Sequence, residues 1–418
     1  MEAPLDKAIV YPTDPAGESR SRRESICFLN IPIEFYSKAS GGAISTIISE
    51  SARALEMRGH DVTVLTRGDG SPALPNGKVK WLTGCGREEL TFWQRRFSGL
   101  RWRFNQWDWP YFDRYRSAII RSLRALAQTP ETIVVFNDLI SPIFLRQLLP
   151  RARICVWLQN EQCTRLPDLS ASKAAVSHWL ACSHYIRDWT LSRYGMDPAR
   201  FSVAPSGVNQ EEFHPRSEFD EAVKTVRVLF VGRIDPNKGP DVAIDAVAAL
   251  RAEGLAVTMT VAGGKWFYRQ GDEEADPYLL SLHEKIVASQ ATELGHVPRD
   301  RIAEVFREHD VVCILSRSNE PFGLVALEAM ASGCAVIASN RGGLPEACGG
   351  AAALVNPDDK GAVISALRRL VVSPDELSAA KRKAVARAAT ASWDDTVVCL
   401  EKPRNSKPAL SPAGFSRC

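Results

Sequence analysis

Short apolar runs alternate with helix-forming stretches along most of the chain, and the alternation begins afresh near residue 226. The first run, Ile26 to Ile31, is followed by a glycine-containing loop and a helix predicted from Ala43 to Arg58. The second series starts with Val226 to Val231 and a helix from Gly239 to Ala252. Alternating strands and helices predict parallel sheets wrapped by helices. We therefore expect an α/β fold with two Rossmann-like halves in tandem.

The other short apolar runs extend both series. They are Val62 to Leu65, Thr132 to Phe136, Ile154 to Leu158, Trp179 to Cys182, Phe201 to Ala204, Ala256 to Ala262, Val311 to Leu315, a run beginning at Ala335, and Ala352 to Val355. A further helix is predicted near His184 to Tyr194. Ligands of parallel α/β sheets bind beyond the carboxyl ends of the strands, so we expect an active site in a central cleft between the halves.

The domain limits follow from where the alternation starts, pauses and stops. The polar residues 1–24 are predicted to be a disordered tail. The first domain is expected over 25–207 and the second over 208–392, because 208–225 is charged and contains Pro215, as suits a linker. Residues 393–418 are predicted to hold a helix that returns to the first domain, followed by a tail.

Length and composition predict a two-domain cytoplasmic protein. At 418 residues the chain is long for one domain. No apolar run approaches the ~18–20 residues of a membrane-spanning helix, and the first residues lack the apolar stretch of a signal peptide. The ten cysteines include no C-x-x-C pair, so neither a metal site nor a disulfide is predicted, and no nucleic-acid partner is expected.

Arginine and tryptophan concentrate between residues 91 and 126. The segment contains eight arginines and four tryptophans against two aspartates. This combination suits an anionic membrane surface or an anionic acceptor, and one interpretation is peripheral attachment to the inner face of the plasma membrane. The alternative is a solvated, Arg-rich pair of helices with the tryptophans packed beneath it.

Two glutamates bracket a turn between a strand and a helix. Glu320 follows the run Val311 to Leu315, and Glu328 lies about two turns into the Ala-rich helix. A helix that begins directly after a strand presents unpaired N–H groups and a positive dipole end, which favour a phosphate. The carboxylates can accept hydrogen bonds from hydroxyl groups on either side of it. The alternative is an ordinary helix start with a solvated glutamate.

Two cations follow the first strand of the second half. Arg233 and Lys238 lie in the stretch Gly-Arg-Ile-Asp-Pro-Asn-Lys-Gly that begins at Gly232. At the carboxyl end of a strand they would face the cleft, where Arg offers forked donors and Lys a mobile charge to a diphosphate. Surface cations on an ordinary loop are the alternative.

Several short motifs occur together in a fixed order. They are Gly41-Gly42, Arg58-Gly-His-Asp-Val-Thr-Val, Pro205-Ser-Gly-Val-Asn209, Phe213-His-Pro215, Gly232-Arg-Ile-Asp-Pro-Asn-Lys-Gly239, Gly295-His-Val297, Glu320-x7-Glu328 and Gly342-Gly-Leu-Pro-Glu346. Each alone is weak, but the ordered set resembles family 4 of the retaining, nucleotide-sugar-dependent glycosyltransferases, which have the GT-B architecture. The resemblance extends roughly from Ile26 to Leu400.

The resemblance implies roles for residues at the predicted cleft. Arg233, Lys238 and Glu320 would act in catalysis, the two cations by holding the diphosphate of a UDP- or GDP-sugar. The residues implied in donor binding are Gly41, Gly42, Gly232, Phe322, Gly323, Leu324 and Glu328. Glu328 would bind the ribose hydroxyls, and the glycines at 41 and 42 would let their loop approach the ligand closely. No metal or other cofactor is expected, because cations and a helix dipole stabilise the leaving group.

The chain departs from the family pattern on the acceptor side. Gln159, with Asn160 beside it, follows the run Ile154 to Leu158 where many relatives have a histidine. Glutamine cannot take a proton, but in a retaining front-face mechanism the departing phosphate can, so Gln159 would orient the sugar. Asn209 replaces a common aspartate with no expected catalytic consequence.

The function implied is sugar transfer to a glycan or lipid-linked acceptor, in bacterial cell-surface polysaccharide or lipopolysaccharide synthesis. One alternative is a nucleotide-sugar epimerase of the same fold, for which the sequence offers no acid/base set. Another is a catalytically silent nucleotide-sugar-binding subunit, against which the four charged residues of the cleft argue. The donor sugar, its base, the acceptor and the linkage are left open by the residues.

Overall fold

The structure is a computed structural model of the chain, and it describes residues 23–32, 34–38, 42–85, 109–162, 169–219, 221–264 and 276–401. For residues 109–112 only the backbone is described. Four predictions lie wholly or largely outside these ranges: the tail over 1–24, the ligand contact of Gly41, the part of the Arg/Trp segment before residue 109, and the tail that follows the last helix.

The first half of the described chain forms a sheet of seven parallel strands. They are β1 (Ser25–Leu29), β2 (Asp61–Thr66), β3 (Lys78–Trp81), β4 (Thr132–Phe136), β5 (Arg153–Leu158), β6 (His178–Ala181) and β7 (Phe201–Val203), in the order β3-β2-β1-β4-β5-β6-β7. The helices are α1 (Ala43–Met57), α2 (Trp109–Arg124), α3 (Ser141–Leu148), α4 (Ser170–Ala175) and α5 (His184–Tyr194). Strands β1, β4 and β5 are buried on both faces, as helix-covered parallel sheets require.

The second half of the described chain repeats this arrangement with six parallel strands. They are β8 (Val226–Val231), β9 (Val257–Ala262), β10 (Thr292–Gly295), β11 (Val311–Ile314), β12 (Ala335–Ser339) and β13 (Ala353–Val355), in the order β10-β9-β8-β11-β12-β13. The helices are α6 (Pro240–Ala252), α7 (Pro277–Ala288), α8 (Ile302–Arg307), α9 (Leu324–Ala331), α10 (Leu344–Cys348), α11 (Lys360–Val372) and α12 (Pro374–Ala389).

Two parallel sheets with covering helices confirm the predicted α/β class. Every predicted strand is present, although its ends differ from the prediction by up to two residues. Strands β3 and β10 are not predicted, and both lie at the edge of a sheet. Most of their side chains are exposed, so they lack the apolar run by which the other strands are recognised.

The last described residues return to the first sheet. Helix α13 (Trp393–Val398) packs against α1, and its apolar residues join the core formed by β1, β2 and α1. The buried apolar residues that it and the following turn contribute are Trp393, Val397 and Leu400. Gly207 permits this close packing, because a Cβ at that position would overlap the backbone nitrogen of Trp393.

A buried ion pair joins three elements of the second half. Asp310, just before β11, is fully buried, and its carboxylate accepts hydrogen bonds from Arg227 Nε at 2.9 Å and Lys381 Nζ at 2.7 Å. Lys381 is 1% exposed and also donates to the carbonyl oxygen of Phe219. Burial alone would raise the pKa of Asp310, but the hydrogen bonds from Arg227 and Lys381 outweigh it and lower the pKa to about 2.

Candidate active site

Each sheet reverses its strand order at one point. The reversal lies between β1 and β4 in the first sheet and between β8 and β11 in the second. In open parallel sheets the loops that follow two such strands leave a crevice for a ligand. The loop after β8 carries Arg233 and Lys238, and the loop after β11, residues 316–323, carries Glu320. We call the latter the Glu320 loop. The two charged motifs therefore border one crevice.

Lys238 and Glu320 are in direct contact across this crevice. Lys238 Nζ donates to Glu320 Oε1, and the hydroxyl of Ser316 donates to the same oxygen. The Lys238 side chain is 25% exposed and that of Glu320 is 13% exposed, so water screens the pair only in part. A diphosphate bound here would compete with Glu320 for the charge of Lys238.

The loop that carries Lys238 is held against the end of β11. Gly239 has a left-handed backbone with φ of 67°, and a Cβ there would overlap the carbonyl oxygen of Leu315. The N–H of Arg317 donates to the carbonyl oxygen of Asn237 at 2.7 Å. These contacts bring the two loops close enough for the ion pair to form.

Arg233 differs from Lys238 in its surroundings. Its side chain is exposed, and no hydrogen bond or ion pair links it to another residue in the described part of the chain. Gly232, just before it, has φ of 154°, and a Cβ on Gly263 would overlap the Gly232 carbonyl oxygen. The backbones that follow β8 and β9 thus approach closely because glycine lies at both positions. The Arg233 guanidinium is available to a ligand.

Gly342 and Gly343 support the backbone of the Glu320 loop. The N–H of Gly343 donates to the Glu320 carbonyl oxygen at 2.6 Å, and Glu320 forms an isolated parallel β-bridge with Gly342. A Cβ on Gly342 would overlap that same oxygen, and one on Gly343 would overlap the carbonyl oxygen of Pro321. Side chains at either glycine would therefore push the Glu320 loop out of place.

Helix α9 begins directly after the Glu320 loop. Gly323, with φ of 115°, precedes Leu324 and offers no side chain to cap the first N–H groups. Phe322 is 6% exposed, and Leu324 packs against the core of the first half. The turn therefore also belongs to the contact between the halves, and sugar binding by its backbone stays a prediction.

Glu328 is buried under Arg299. It is 2% exposed, and its Oε1 lies 2.7 Å from Arg299 Nη1. Arg299 also lies over the ring of Phe213, with 4.9 Å from Cζ to the ring centroid, and its Nε lies 4.0 Å from Glu212 Oε1. Burial raises the pKa of Glu328, and the charge of Arg299 opposes this shift. Oε1 is buried and lacks an aligned hydrogen bond within the described residues, and ribose binding by Glu328 stays a prediction.

Gly42 makes room for a carboxylate of the protein itself. A Cβ on Gly42 would overlap Glu34 Oε2, which accepts a hydrogen bond from the N–H of Ser45 at 2.9 Å. Glu34 thereby caps the start of α1, and burial raises its pKa. The close approach of a ligand to Gly42 stays a prediction, and Gly41 lies outside the described residues.

Gln159 is buried at the carboxyl end of β5. It is 8% exposed, and its N–H donates to Asn137 Oδ1 at 2.6 Å. Its side-chain Nε2 has no hydrogen-bond partner within the described ranges, whereas the neighbouring Asn160 is exposed. A buried amide nitrogen without a partner is unfavourable, so Nε2 is suited to donate to a bound sugar.

Polar contacts join the two halves beside the site. Tyr185 Oη donates to the carboxylate of Glu161, to which Asn319 Nδ2 also donates at 3.3 Å. Burial and the hydrogen bond to Glu161 raise the pKa of Tyr185 to about 12. Ser183 Oγ donates to the carbonyl oxygen of Pro321 at 2.6 Å. The Glu320 loop is thus tied to the first half at two points.

Four residues of this site are not predicted from the sequence: Glu34, Glu161, Tyr185 and Arg299. Arg299 lies two residues after the Gly295-His-Val297 motif, which is a signal that could have located it. The pairing of Tyr185 with Glu161 and of Glu34 with the start of α1 arises from tertiary packing, and no spacing in the sequence indicates it.

The described residues contain no group of three or more His, Cys, Asp or Glu side chains that could hold a metal. No helix in the same ranges is long and apolar enough to cross a membrane. The eight described cysteines are free thiols, and seven of them are buried.

Two family models match the chain, one in each half. The model described as glycosyltransferase family 4 matches residues 41–212, and the model described as group 1 glycosyl transferases matches residues 209–389. The two matches overlap at residues 209–212 and together include every strand of the two sheets except β1.

Named relatives and solved structures agree with these matches. The D-inositol 3-phosphate glycosyltransferase of Nocardia farcinica is 30% identical over 309 residues, which is 71% of this chain and 62%, less than two thirds, of that relative. The protein of the same name from Rhodococcus erythropolis is 27% identical over 95% of each chain. The structure of Anabaena HepE in complex with UDP-glucose is similar, with a TM-score of 0.65 and 17% identity over 90% of this chain and 97% of that one. This last likeness shows a shared fold, and the predicted GT-B architecture is confirmed.

Proposed function

Because the chain belongs to the family 4, group 1 glycosyltransferases, we propose that it transfers a sugar from a nucleoside diphosphate sugar to an acceptor hydroxyl, with retention of configuration. The observation that carries this proposal is the contact between Lys238 and Glu320 at the crevice, with the exposed Arg233 on the same loop as Lys238. A diphosphate in the crevice would meet two cations, and a sugar attached to it would meet a carboxylate.

The two cations would stabilise the charge that develops on the leaving diphosphate. Interactions that strengthen in the transition state raise turnover rather than ground-state binding. The uncapped start of α9 would add the positive end of its dipole. We therefore propose a metal-independent hexosyltransferase that uses UDP- or GDP-sugars. The complex of Anabaena HepE with UDP-glucose supports a UDP-sugar as the first donor to test.

The proton of the acceptor hydroxyl would pass to the leaving group. As the bond from the sugar C1 to the diphosphate oxygen breaks, the acceptor oxygen bonds to C1 on the same face, and a phosphate oxygen takes the proton. Gln159 cannot take it, but its unpartnered Nε2 would orient a sugar hydroxyl. Lys238 would exchange Glu320 for the phosphate oxygens, which would leave the Glu320 carboxylate for the sugar.

We propose a glycan or lipid-linked acceptor, as in the synthesis of bacterial cell-surface polysaccharide or lipopolysaccharide. The basic surface of α2, described below, supports a lipid-linked acceptor. The relatives named D-inositol 3-phosphate glycosyltransferases add a second class to test, a polyol phosphate.

Release of free nucleoside diphosphate separates the proposed transferase from the epimerase and the silent subunit. We would incubate the protein with UDP-glucose and with GDP-mannose, each with and without inositol 3-phosphate or a lipid-linked oligosaccharide. Release of UDP or GDP that depends on the acceptor supports transfer. Conversion of the nucleotide sugar without release supports an epimerase, and tight binding without either reaction supports a silent subunit.

Replacing Glu328 by alanine should weaken UDP binding. A ribose hydroxyl would lose a charged acceptor, and such a hydrogen bond contributes ~1.5–3 kcal/mol, or roughly a 10- to 150-fold change in Kd. Calorimetric titration with UDP measures the loss. Glu212→Ala is the matched control, since it also removes a carboxylate beside Arg299. Equal losses in both variants would assign the effect to a displaced Arg299 instead of the ribose contact.

We further propose that α2 attaches the protein to anionic membranes. The helix buries Tyr115, Ala118, Ile119 and Leu123 and exposes Arg116, Arg121 and Arg124. Near an anionic surface each basic residue adds ~1 kcal/mol, and screening limits the reach to about 8 Å at physiological salt. The described part of the Arg/Trp segment thus presents a basic surface opposite its buried one.

Replacing the three exposed arginines of α2 by alanine should lower the affinity for phosphatidylserine-containing vesicles by about 100-fold, from ~1 kcal/mol at each position. Co-sedimentation of the 418-residue chain at low and high salt measures the affinity, and the wild type should detach at high salt. A control that removes the same charge elsewhere is Arg301, Lys360 and Arg369 to alanine, all more than two-thirds exposed. Equal wild-type binding to phosphatidylcholine vesicles would show that α2 is an ordinary solvated helix.

A further inference from the structure

The start of α5 is capped by a residue from the other half of the molecule. Helix α5 follows β6 of the first sheet, whereas Glu346 lies on α10, beside the second sheet. Glu346 Oε2 accepts a hydrogen bond from the N–H of His184, and Oε1 accepts one from the N–H of Tyr185, both at 2.7 Å. His184 Nδ1 lies 3.0 Å from Oε2. One carboxylate thus takes three contacts from the first half.

These bonds complete the amino-terminal turn of α5. The first four N–H groups of a helix have no partner within the helix. Ser183 serves one of them, because its Oγ accepts from the N–H of Ile186 at 3.1 Å, whereas the N–H of Arg187 makes the first bond of the helix itself, to the Ser183 carbonyl oxygen. Glu346 serves two more, those of His184 and Tyr185, and brings the negative charge that the helix dipole favours there. The second half therefore supplies two of the three side-chain bonds that cap the start of this first-half helix.

The capping carboxylate is linked to the Glu320 loop by a short path. Gly343 precedes α10, and its N–H donates to the Glu320 carbonyl oxygen. The next residue of that loop, Pro321, accepts the hydrogen bond from Ser183 Oγ. The contacts form a closed ring that runs from α5 through the Glu320 loop and the glycine pair to α10 and back to α5. Neither α10 nor the Glu320 loop can shift against the first half without breaking one of these bonds.

We propose that Glu346 is a positioning residue for sugar transfer, which by capping α5 holds the Glu320 loop in register with the acceptor side of the cleft. This inference rests on the proposed function, which assigns the loop to the donor sugar and the strand ends of the first sheet to the acceptor. Arg233 and Lys238 bind the nucleotide from a separate loop. Loss of the cap therefore spares nucleotide binding but misaligns the reactants, and a misplacement of about 1 Å costs about 100-fold in rate.

The test compares Glu346→Ala with Asp359→Ala. Asp359 caps α11 through the N–H of Ala362 at 3.0 Å, entirely within the second half, so its loss is an equivalent cap deletion without a contact between the halves. Hydrogen exchange is measured on peptides covering residues 184–187, 319–324 and 360–363. Glu346→Ala should speed exchange in the first two by about fivefold or more, and Asp359→Ala only in the third. The isosteric Glu346→Gln should show the same pattern more weakly and serves if the alanine variant is unstable.

Activity and binding provide the second readout. With UDP-glucose and an acceptor, Glu346→Ala should lower kcat by about 100-fold, while the Kd for UDP stays close to the wild-type value. Faster exchange confined to residues 184–187 with normal turnover would overturn the proposal, as would a matching loss of UDP affinity. If the wild type releases neither UDP nor GDP under any condition, the proposed function fails. Hydrogen exchange at residues 319–324 of Glu346→Ala then tests the positioning role by itself. Faster exchange than in the wild type supports that role, and unchanged exchange excludes it.

Discussion

Alanine at both Arg233 and Lys238 should lower kcat by about 10²–10³-fold, with a much smaller change in the donor KM. Both cations face the diphosphate, whose charge grows as the bond to the sugar breaks, so most of their contribution arises in the transition state. Steady-state release of UDP or GDP at saturating acceptor measures both constants. An equal loss of nucleotide affinity with unchanged turnover would show that the cations bind the ground state only.

The structure separates this effect from a loss of folding. Arg233 is exposed and makes no hydrogen bond or ion pair within the described residues, so Arg233→Ala alone should unfold at the wild-type denaturant concentration. Lys238→Ala leaves Glu320 without its cation, and any change in stability should appear in that variant. The control is the double variant Arg301→Ala, Lys360→Ala. It removes two exposed positive charges, as many as the Arg233, Lys238 variant, and should leave turnover unchanged.

Asp310→Asn should lower the free energy of unfolding of the second half by about 3–5 kcal/mol. The substitution keeps the shape of the side chain but removes the charge that compensates buried Lys381, and an uncompensated buried charge is strongly destabilising. Urea unfolding followed by tryptophan fluorescence and circular dichroism measures the change. Acid should abolish the difference, because the Asp310 contribution is lost as the pH falls from about 4 toward its folded pKa of about 2.

An exposed ion pair gives the control for that experiment. Arg369 lies 2.8 Å from Glu376, but its side chain is 74% exposed, and pairs of this kind contribute about 0–1 kcal/mol. Arg369→Ala should therefore shift the urea midpoint little. Similar small shifts of the urea midpoint for Asp310→Asn and Arg369→Ala would show that rearrangement around Lys381 compensates the loss of the Asp310 charge.

The central strands can be predicted from the sequence because strands buried on both faces require apolar residues. Strands β4 and β11 consist of buried, mostly apolar residues, and such runs stand out between turns. The same reasoning misses β3, whose Lys78 and Lys80 belong to an edge that must remain soluble. Pairing in an edge strand is specified by its neighbour, so the strand cannot be found from its own residues.

The sequence predicts where the charged residues of the candidate site lie, but not the contacts that tertiary packing creates around them. The positions of Arg233, Lys238 and Glu320 beside one crevice are predicted because their loops follow apolar strands, and their catalytic roles stay predictions. Glu328 is predicted to bind the donor from the same motif, and that role stays a prediction. Its burial under Arg299 is not predicted, since a spacing of eight residues does not say what covers a helix face. The role of Glu346 is hidden for the same reason, because its partners lie on the other sheet.

The return of α13 to the first half affects the order in which the protein matures during synthesis. Trp393, Val397 and Leu400 fill the core beside α1, yet they are translated long after residue 207, where the first half otherwise ends. At 5–20 residues per second the ribosome needs about 10–40 s to cover that distance. Throughout this interval the apolar surface of α1 lacks its cover and is available to chaperones or to other nascent chains. The domain made first is thus the last to be finished, and any truncation before residue 393 leaves it incomplete.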